Sequence, residues 1–174
     1  SIVTDKRNNR MEPSKGYYWS VGEEVAGIGG NRHFIRSIGD VRYYHTLVGN
    51  LVLRTKAEAG NIFSTNTRKV QSAERFYLGG PNSLKGYDSF SVGPQEILYD
   101  SNGLHIQNEG GLNEAFYILE FEHPIIKEVG LKFVVFMDIG EAWNPGGNFA
   151  LAMDYGWGIR WFSPLGPLRF EWGY

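Results

Sequence analysis

Two stretches decide how this chain reads: Tyr155-Gly156-Trp157-Gly158-Ile159-Arg160-Trp161 and Leu168-Arg169-Phe170-Glu171-Trp172-Gly173-Tyr174. In both, every second residue is large and apolar, and the residues between are glycine or charged. A period of two puts each set on one face of a β-strand. The same rhythm runs upstream. Leu131, Phe133, Val135 and Met137 alternate with Lys132, Val134, Phe136 and Asp138, and Tyr117, Leu119 and Phe121 with Ile118, Glu120 and Glu122. Further back, Leu51, Leu53, Thr55 and Ala57 alternate with Val52, Arg54, Lys56 and Glu58, and Tyr17, Trp19 and Val21 with Tyr18, Ser20 and Gly22.

Alternation also fits a soluble sandwich, so the face compositions matter. The periodic segments run to about ten residues, where strands of soluble proteins average nearer five or six. Aromatics gather at strand ends, as in Tyr17–Trp19, Trp161–Phe162 and Trp172–Tyr174, and the opposite face mixes both charge signs. Those features suit an aromatic girdle at a lipid boundary and a water-filled interior. The expectation is an all-β fold, an antiparallel transmembrane β-barrel of about eight strands over residues 1–174. Phe121, Val135, Ile159 and Phe170 should face lipid, with Glu120, Asp138, Arg160 and Arg169 inward.

Composition narrows the chemistry. With 174 residues the chain suits one domain, and 15% aromatic residues with 23 glycines suit strands and turns. Cysteine is absent, which removes disulfides, thiolate nucleophiles and cysteine metal sites. Seventeen basic against 19 acidic residues leave a net charge of −2, with no bulk attraction to nucleic acid. No run approaches the roughly 20 apolar residues of a spanning helix. The opening Ser1-Ile2, without Met or a signal-type apolar region, reads as a mature product or a fragment.

Short turns punctuate the strands at Glu128–Gly130, Asn144–Asn148 and Ser163–Pro167. One connection differs. From about Gly60 to Glu114 the chain passes through Gly, Asn, Ser and Pro without sustained alternation, and loops of that length usually carry function.

Within that connection lies Arg75-Phe76-Tyr77-Leu78-Gly79-Gly80-Pro81-Asn82-Ser83-Leu84-Lys85-Gly86-Tyr87. It resembles the loop-six signature of the Omp85 superfamily, Phe-Tyr-x-Gly-Gly-Pro-x-Ser-Val-Arg-Gly-Phe/Tyr. Two more blocks match in order. Phe136–Trp143 is similar to that family's Phe-x-Asp-x-Gly-x-x-Trp strand, and Gly158–Phe170 to its penultimate strand pair. The resemblance implies the C-terminal half of a sixteen-stranded barrel in the bacterial outer membrane. Such a barrel is preceded by POTRA domains, and it folds and inserts other β-barrel proteins. Gly-Pro-Leu-Arg-Phe and the loop's Gly-Gly-Pro favour its assembly factors over TamA-type and two-partner-secretion translocation pores, which stay as the alternative.

The implied site residues are Arg75, Phe76, Gly79, Gly80, Pro81, Ser83, Lys85, Gly86 and Tyr87 in the loop. Glu120 and Asp138 are the lumen carboxylates that would hold Lys85. Lys85 stands where the family has Arg, keeping the charge without the bidentate fork. Alternation alone leaves those carboxylates equally readable as solvated lumen charges. The implied partners are the lipid bilayer, nascent outer-membrane barrels, and lipoproteins reached through POTRA domains outside this sequence. The family pattern continues into one more strand after Trp172-Gly173-Tyr174. Unpaired edges in hydrocarbon would then require the half to close as a small barrel, two copies to pair edge to edge, or the missing strands to exist outside this sequence.

Nothing specifies an enzyme, a cofactor or a metal. Histidines 33, 45, 105 and 123 are scattered, and Ser83, Ser101 and Ser163 sit in turns without a Gly-x-Ser-x-Gly elbow. Asp100-Ser101-Asn102-Gly103 lacks the distal Glu of a calcium loop.

Overall fold

The computed structural model describes residues 1–26, 33–64, 70–100, 103–147, 149–163 and 166–174, with backbone alone for 97–100 and 104–105. Ser101, Pro164 and Leu165 thus lie outside the described residues, as does the side chain of His105. Among the described residues ten strands form: β1 (Ile2–Asp5), β2 (Gly16–Ala26), β3 (Phe34–Thr46), β4 (Val52–Ser64), β5 (Gln95–Asp100), β6 (Gly103–Asn108), β7 (Asn113–Ile126), β8 (Leu131–Trp143), β9 (Ala152–Ser163) and β10 (Gly166–Gly173). Eight make one antiparallel sheet in the order β1-β2-β3-β4-β7-β8-β9-β10, and β5 and β6 form a separate hairpin.

The faces follow the alternation. Phe133, Val135, Met137, Trp157, Phe170 and Trp172 are exposed on the outer face. The outer positions of β3, β4, β7, β9 and β10 carry no Asp, Glu, Lys or Arg, as a hydrocarbon boundary requires. Phe133, Trp157 and Trp172 stack across β8, β9 and β10, with ring centroids 6.2 and 4.7 Å apart. Glu120, Asp138, Arg160 and Arg169 all lie on the inner face.

Three expectations change. The long connection is shorter than 60–114, because β4 runs to Ser64 and β7 starts at Asn113; it also contains the β5–β6 hairpin. The inner wall beneath the loop is buried: Val134 and Asp138 are 0% exposed, and Phe136 and Ile118 are buried. Finally, the sheet is not a closed small barrel. Among the described residues β1 and β10 form the two ends and do not pair with each other. An eight-stranded barrel has room for little more than its own side chains. Here the loop itself occupies that space.

Two buried clusters join loop to wall. Leu78, Leu84 and Val92 of the loop pack with Phe116, Ile118 and Ala142 of β7 and β8. Val70, Phe76 and Leu112 pack with Phe34 and Ile62 of β3 and β4. Each fully buried Leu contributes roughly 1.5–3 kcal/mol.

Candidate functional site

The loop is a compact fold in its own right. Gly79 and Gly80 have φ of +106° and +92°, and a Cβ on Gly79 would stand 2.2 Å from the Asp88 carbonyl oxygen, so only glycine fits. The Gly80 N–H donates to the carbonyls of Leu84 (2.9 Å) and Tyr87 (3.0 Å), while the Ser83 hydroxyl accepts from the Gly79 N–H at 3.0 Å. Phe76 bridges to Gly111, and Leu78 to Val92. Arg75 pairs with Glu109 at 3.0 Å, and the Tyr77 hydroxyl donates to the Glu109 carbonyl. The result presents Lys85 at a fixed point.

Lys85 is driven into the wall. Its ammonium lies 2.9 and 3.0 Å from the two Asp138 oxygens and 3.1 Å from Glu120 Oε1. Three donors meet three carboxylate oxygens, and the Lys85 backbone N–H adds a bond to Asp138 Oδ2 at 3.1 Å. The ring of Phe136 lies 4.4 Å away. The Lys85 side chain is 2% exposed, so the charges interact without the screening that weakens surface pairs.

Around this bridge runs a larger ion network. Arg160 of β9 holds Glu120 through two bonds of 2.7 and 2.8 Å, and also reaches Glu122 and Glu171. Arg54 of β4 pairs with Glu122, and Lys132 of β8 joins Glu122 to Glu12 of the β1–β2 connection. Adjacent rows carry opposite signs, so pairing runs diagonally: Arg160 stands directly opposite Lys132 and Arg169.

The motif glycines meet the wall directly. Gly86 backs onto Asp154 and Gly173, and the Tyr87 hydroxyl donates to the Met153 carbonyl at 3.4 Å. The Pro81 carbonyl accepts from Arg169 at 3.2 Å. Phe76 fills the notch left by Gly60 on β4, under the Arg36 guanidinium at 4.7 Å from the ring centroid. Every site residue expected from the sequence therefore lies in the loop or on the wall it touches.

Two participants escaped the sequence reading. Arg160 was placed inward but not tied to Glu120, because its reach depends on strand register. Asp154 stands directly opposite Asp138, is 1% exposed, and among the described residues neither of its oxygens has a hydrogen-bond partner. Its position two residues before Gly156 on the inner face was the available signal.

All 174 residues match the Omp85 superfamily domain. The chain belongs to the Omp85 superfamily. Among Omp85 relatives, the outer membrane protein assembly factor BamA of Nitratidesulfovibrio vulgaris is 32% identical over 179 residues, 99% of this chain and 22% of that protein. The sorting and assembly machinery component 50 homolog of Mus musculus is 30% identical over 67% of the chain and 28% of its own length. The chain thus spans about a quarter of the curated relatives it matches. The crystal structure of Haemophilus ducreyi BamA lacking POTRA domains 1–3 superposes with a TM-score of 0.87 at 22% identity, over 99% of this chain and 37% of that one. As an Omp85 sheet with this outer face, the chain resides in the bacterial outer membrane.

Proposed function

We propose that residues 1–174 are the C-terminal barrel section of a protein that folds and inserts β-barrel proteins into the outer membrane, the activity named for its BamA relatives. The observation that carries this reading is the buried Lys85 bridge to Asp138 and Glu120. A loop so anchored fills the concave face and braces the wall. The assembly names of relatives at 30–32% identity favour this reading over the TamA-type and two-partner-secretion pores of the same superfamily.

The role of Lys85 is structural and mechanistic, without bond-making chemistry. A nascent barrel must find strand partners before leaving water, since hydrocarbon leaves no backbone group unpaired. An exposed strand edge supplies such partners by β-augmentation, and the outer aromatic face seats the section in lipid. Nascent barrels, Bam lipoproteins acting through POTRA domains, and an edge-to-edge pairing of two copies are the partners this reading proposes.

The test uses the full-length protein in proteoliposomes with an unfolded barrel client. Lys85→Ala should abolish client insertion, while Lys56→Ala, whose partners are Glu58 and Asp40, should leave it near wild type. Lys69, the control that sequence alone suggests, lies outside the described residues. Ion leakage that rises in Lys85→Ala, without any insertion by the wild type, would favour the pore.

A further inference from the structure

The pairing between β9 and β10 is the one its amino acids support least. Of its register pairs, Gly166↔Ser163, Glu171↔Gly158 and Gly173↔Gly156 contain glycine, and Pro167 occupies another. Glycine brings no side chain to pack, while Pro167, opposite Phe162, stands where a backbone N–H would point away from β9 and takes no bond from this pair. By contrast β3 and β4 pair along thirteen residues each. On the outer face β10 has the Trp157–Trp172 stack, and on the inner face the Arg160–Glu171 ion pair.

Beyond these and the backbone ladder, the loop touches β10 at mid-strand and at its C-terminal end. Arg169 Nη2 donates to the Pro81 carbonyl at 3.2 Å. Further along, the Gly86 Cα lies 2.4 Å, and the Gly86 N 2.6 Å, from where a Cβ on Gly173 would stand. A Cβ on Gly86 would in turn stand 2.7 Å from Asp154 Cβ and 3.3 Å from Tyr174 N. Loop backbone rests on strand backbone with no side chain between them.

We infer that the loop holds β10 against β9, with Gly173 and Arg169 as the positioning residues that receive it. Seating Lys85 then fixes where the end strand lies. Among the described residues the Lys85 side chain bonds to β7 and β8 and not to β10. Its effect on β10 must therefore pass through the loop, or through the Glu120–Arg160–Glu171 chain. The importance of this clamp rests on the assembly reading above, because the placement of β10 sets the register of any strand that pairs with its other side. The clamp itself needs only the geometry.

Backbone amide exchange on the full-length protein in lipid nanodiscs tests it, comparing peptides from 166–174 with peptides from 34–46. Gly173→Ala and Arg169→Gln should each raise exchange in β10 by about tenfold or more and leave β3 unchanged. Lys85→Ala should do the same from a distance. Gly22→Ala, an inner-face glycine whose Cβ would meet only Ser1 Cβ at 3.9 Å, should change neither segment. If Gly173→Ala does not fold, Arg169→Gln and Lys85→Ala carry the test. The inference is overturned if Lys85→Ala raises exchange in 76–87 while β10 stays as protected as in the wild type. Client insertion measured on the same preparations separates the two ideas. A protected β10 in a wild type that inserts nothing would sink the assembly reading and leave the clamp standing.

Discussion

The inner faces of β3–β4 and of β7–β9 carry charges in similar number but in different states. On β3 and β4, Asp40, Arg42, Lys56 and Glu58 neutralise one another at 2.7 and 2.9 Å within single strands. On β7–β9, Glu120, Asp138 and Asp154 are buried; Asp138 and Glu120 take the Lys85 ammonium from the loop, Arg160 of β9 adds to Glu120, and Asp154 has no hydrogen-bond partner among the described residues. A self-paired wall tolerates water. A wall whose partners arrive from a distant segment is complete only when that segment is in place.

The largest break in this contrast should come from Asp138→Ala. It leaves the Lys85 ammonium buried with Glu120 alone, and stranding a buried charge costs about 3–5 kcal/mol. Asp40→Ala on the other wall should cost about 1 kcal/mol or less, since Arg42 there is more than one-third exposed. Denaturant midpoints in detergent, followed by tryptophan fluorescence, read both.

Next is Val135→Arg, which puts a cation on the outer face and should cost roughly 2–4 kcal/mol. The obvious inward control, Val134→Arg, is unsuitable because Val134 is fully buried opposite Glu122 and Gly158. Ser20→Arg serves instead: Ser20 stands opposite Asp40 on the open wall and should be neutral within about 0.5 kcal/mol. Equal loss of folding yield in Val135→Arg and Ser20→Arg would count against a lipid-facing outer surface.

A smaller effect is expected at Gly60, where a Cβ would stand 2.5 Å from Phe76 Cζ. Gly60→Ala should destabilise by about 1–3 kcal/mol through overpacking. On the neighbouring strand, Gly39→Ala has its nearest neighbour at 4.0 Å and should be neutral or stabilise by about 0.5 kcal/mol. Proteolysis between 65 and 112 would report whether the Phe76 anchor is the part that gives way.

The smallest effect should be Lys85→Arg. The ammonium has spent its three donors, while Asp154 beside it has none. A guanidinium carries five donors in a fork, so the variant should match the wild type or gain up to about 1 kcal/mol in the same denaturation experiment.

The faces of β7 to β10 were legible because period two survives wherever one side meets lipid and the other meets charge. The loop bridge was legible only by resemblance: nothing in the spacing of Lys85, Glu120 and Asp138 requires them to meet. The β5–β6 hairpin stayed hidden, since Gln95–Asp100 and Gly103–Asn108 are too short and mixed to show a period. The Asp138–Asp154 pair stayed hidden for a different reason. It depends on the register across the 144–151 turn, which one residue more or less would reverse.

The Lys85 bridge also bears on errors of assembly. A slip of one residue in β8 against β7 would bring Met137 or Ile139 to the place of Asp138, and the ammonium would be buried against a hydrocarbon side chain. A slip of two would restore the face but move the carboxylate along the strand by about 7 Å, beyond hydrogen-bonding reach. Only the native alignment of β7 and β8 lets the loop settle, so a single lysine proofreads the hydrogen-bond ladder of the wall it rests on.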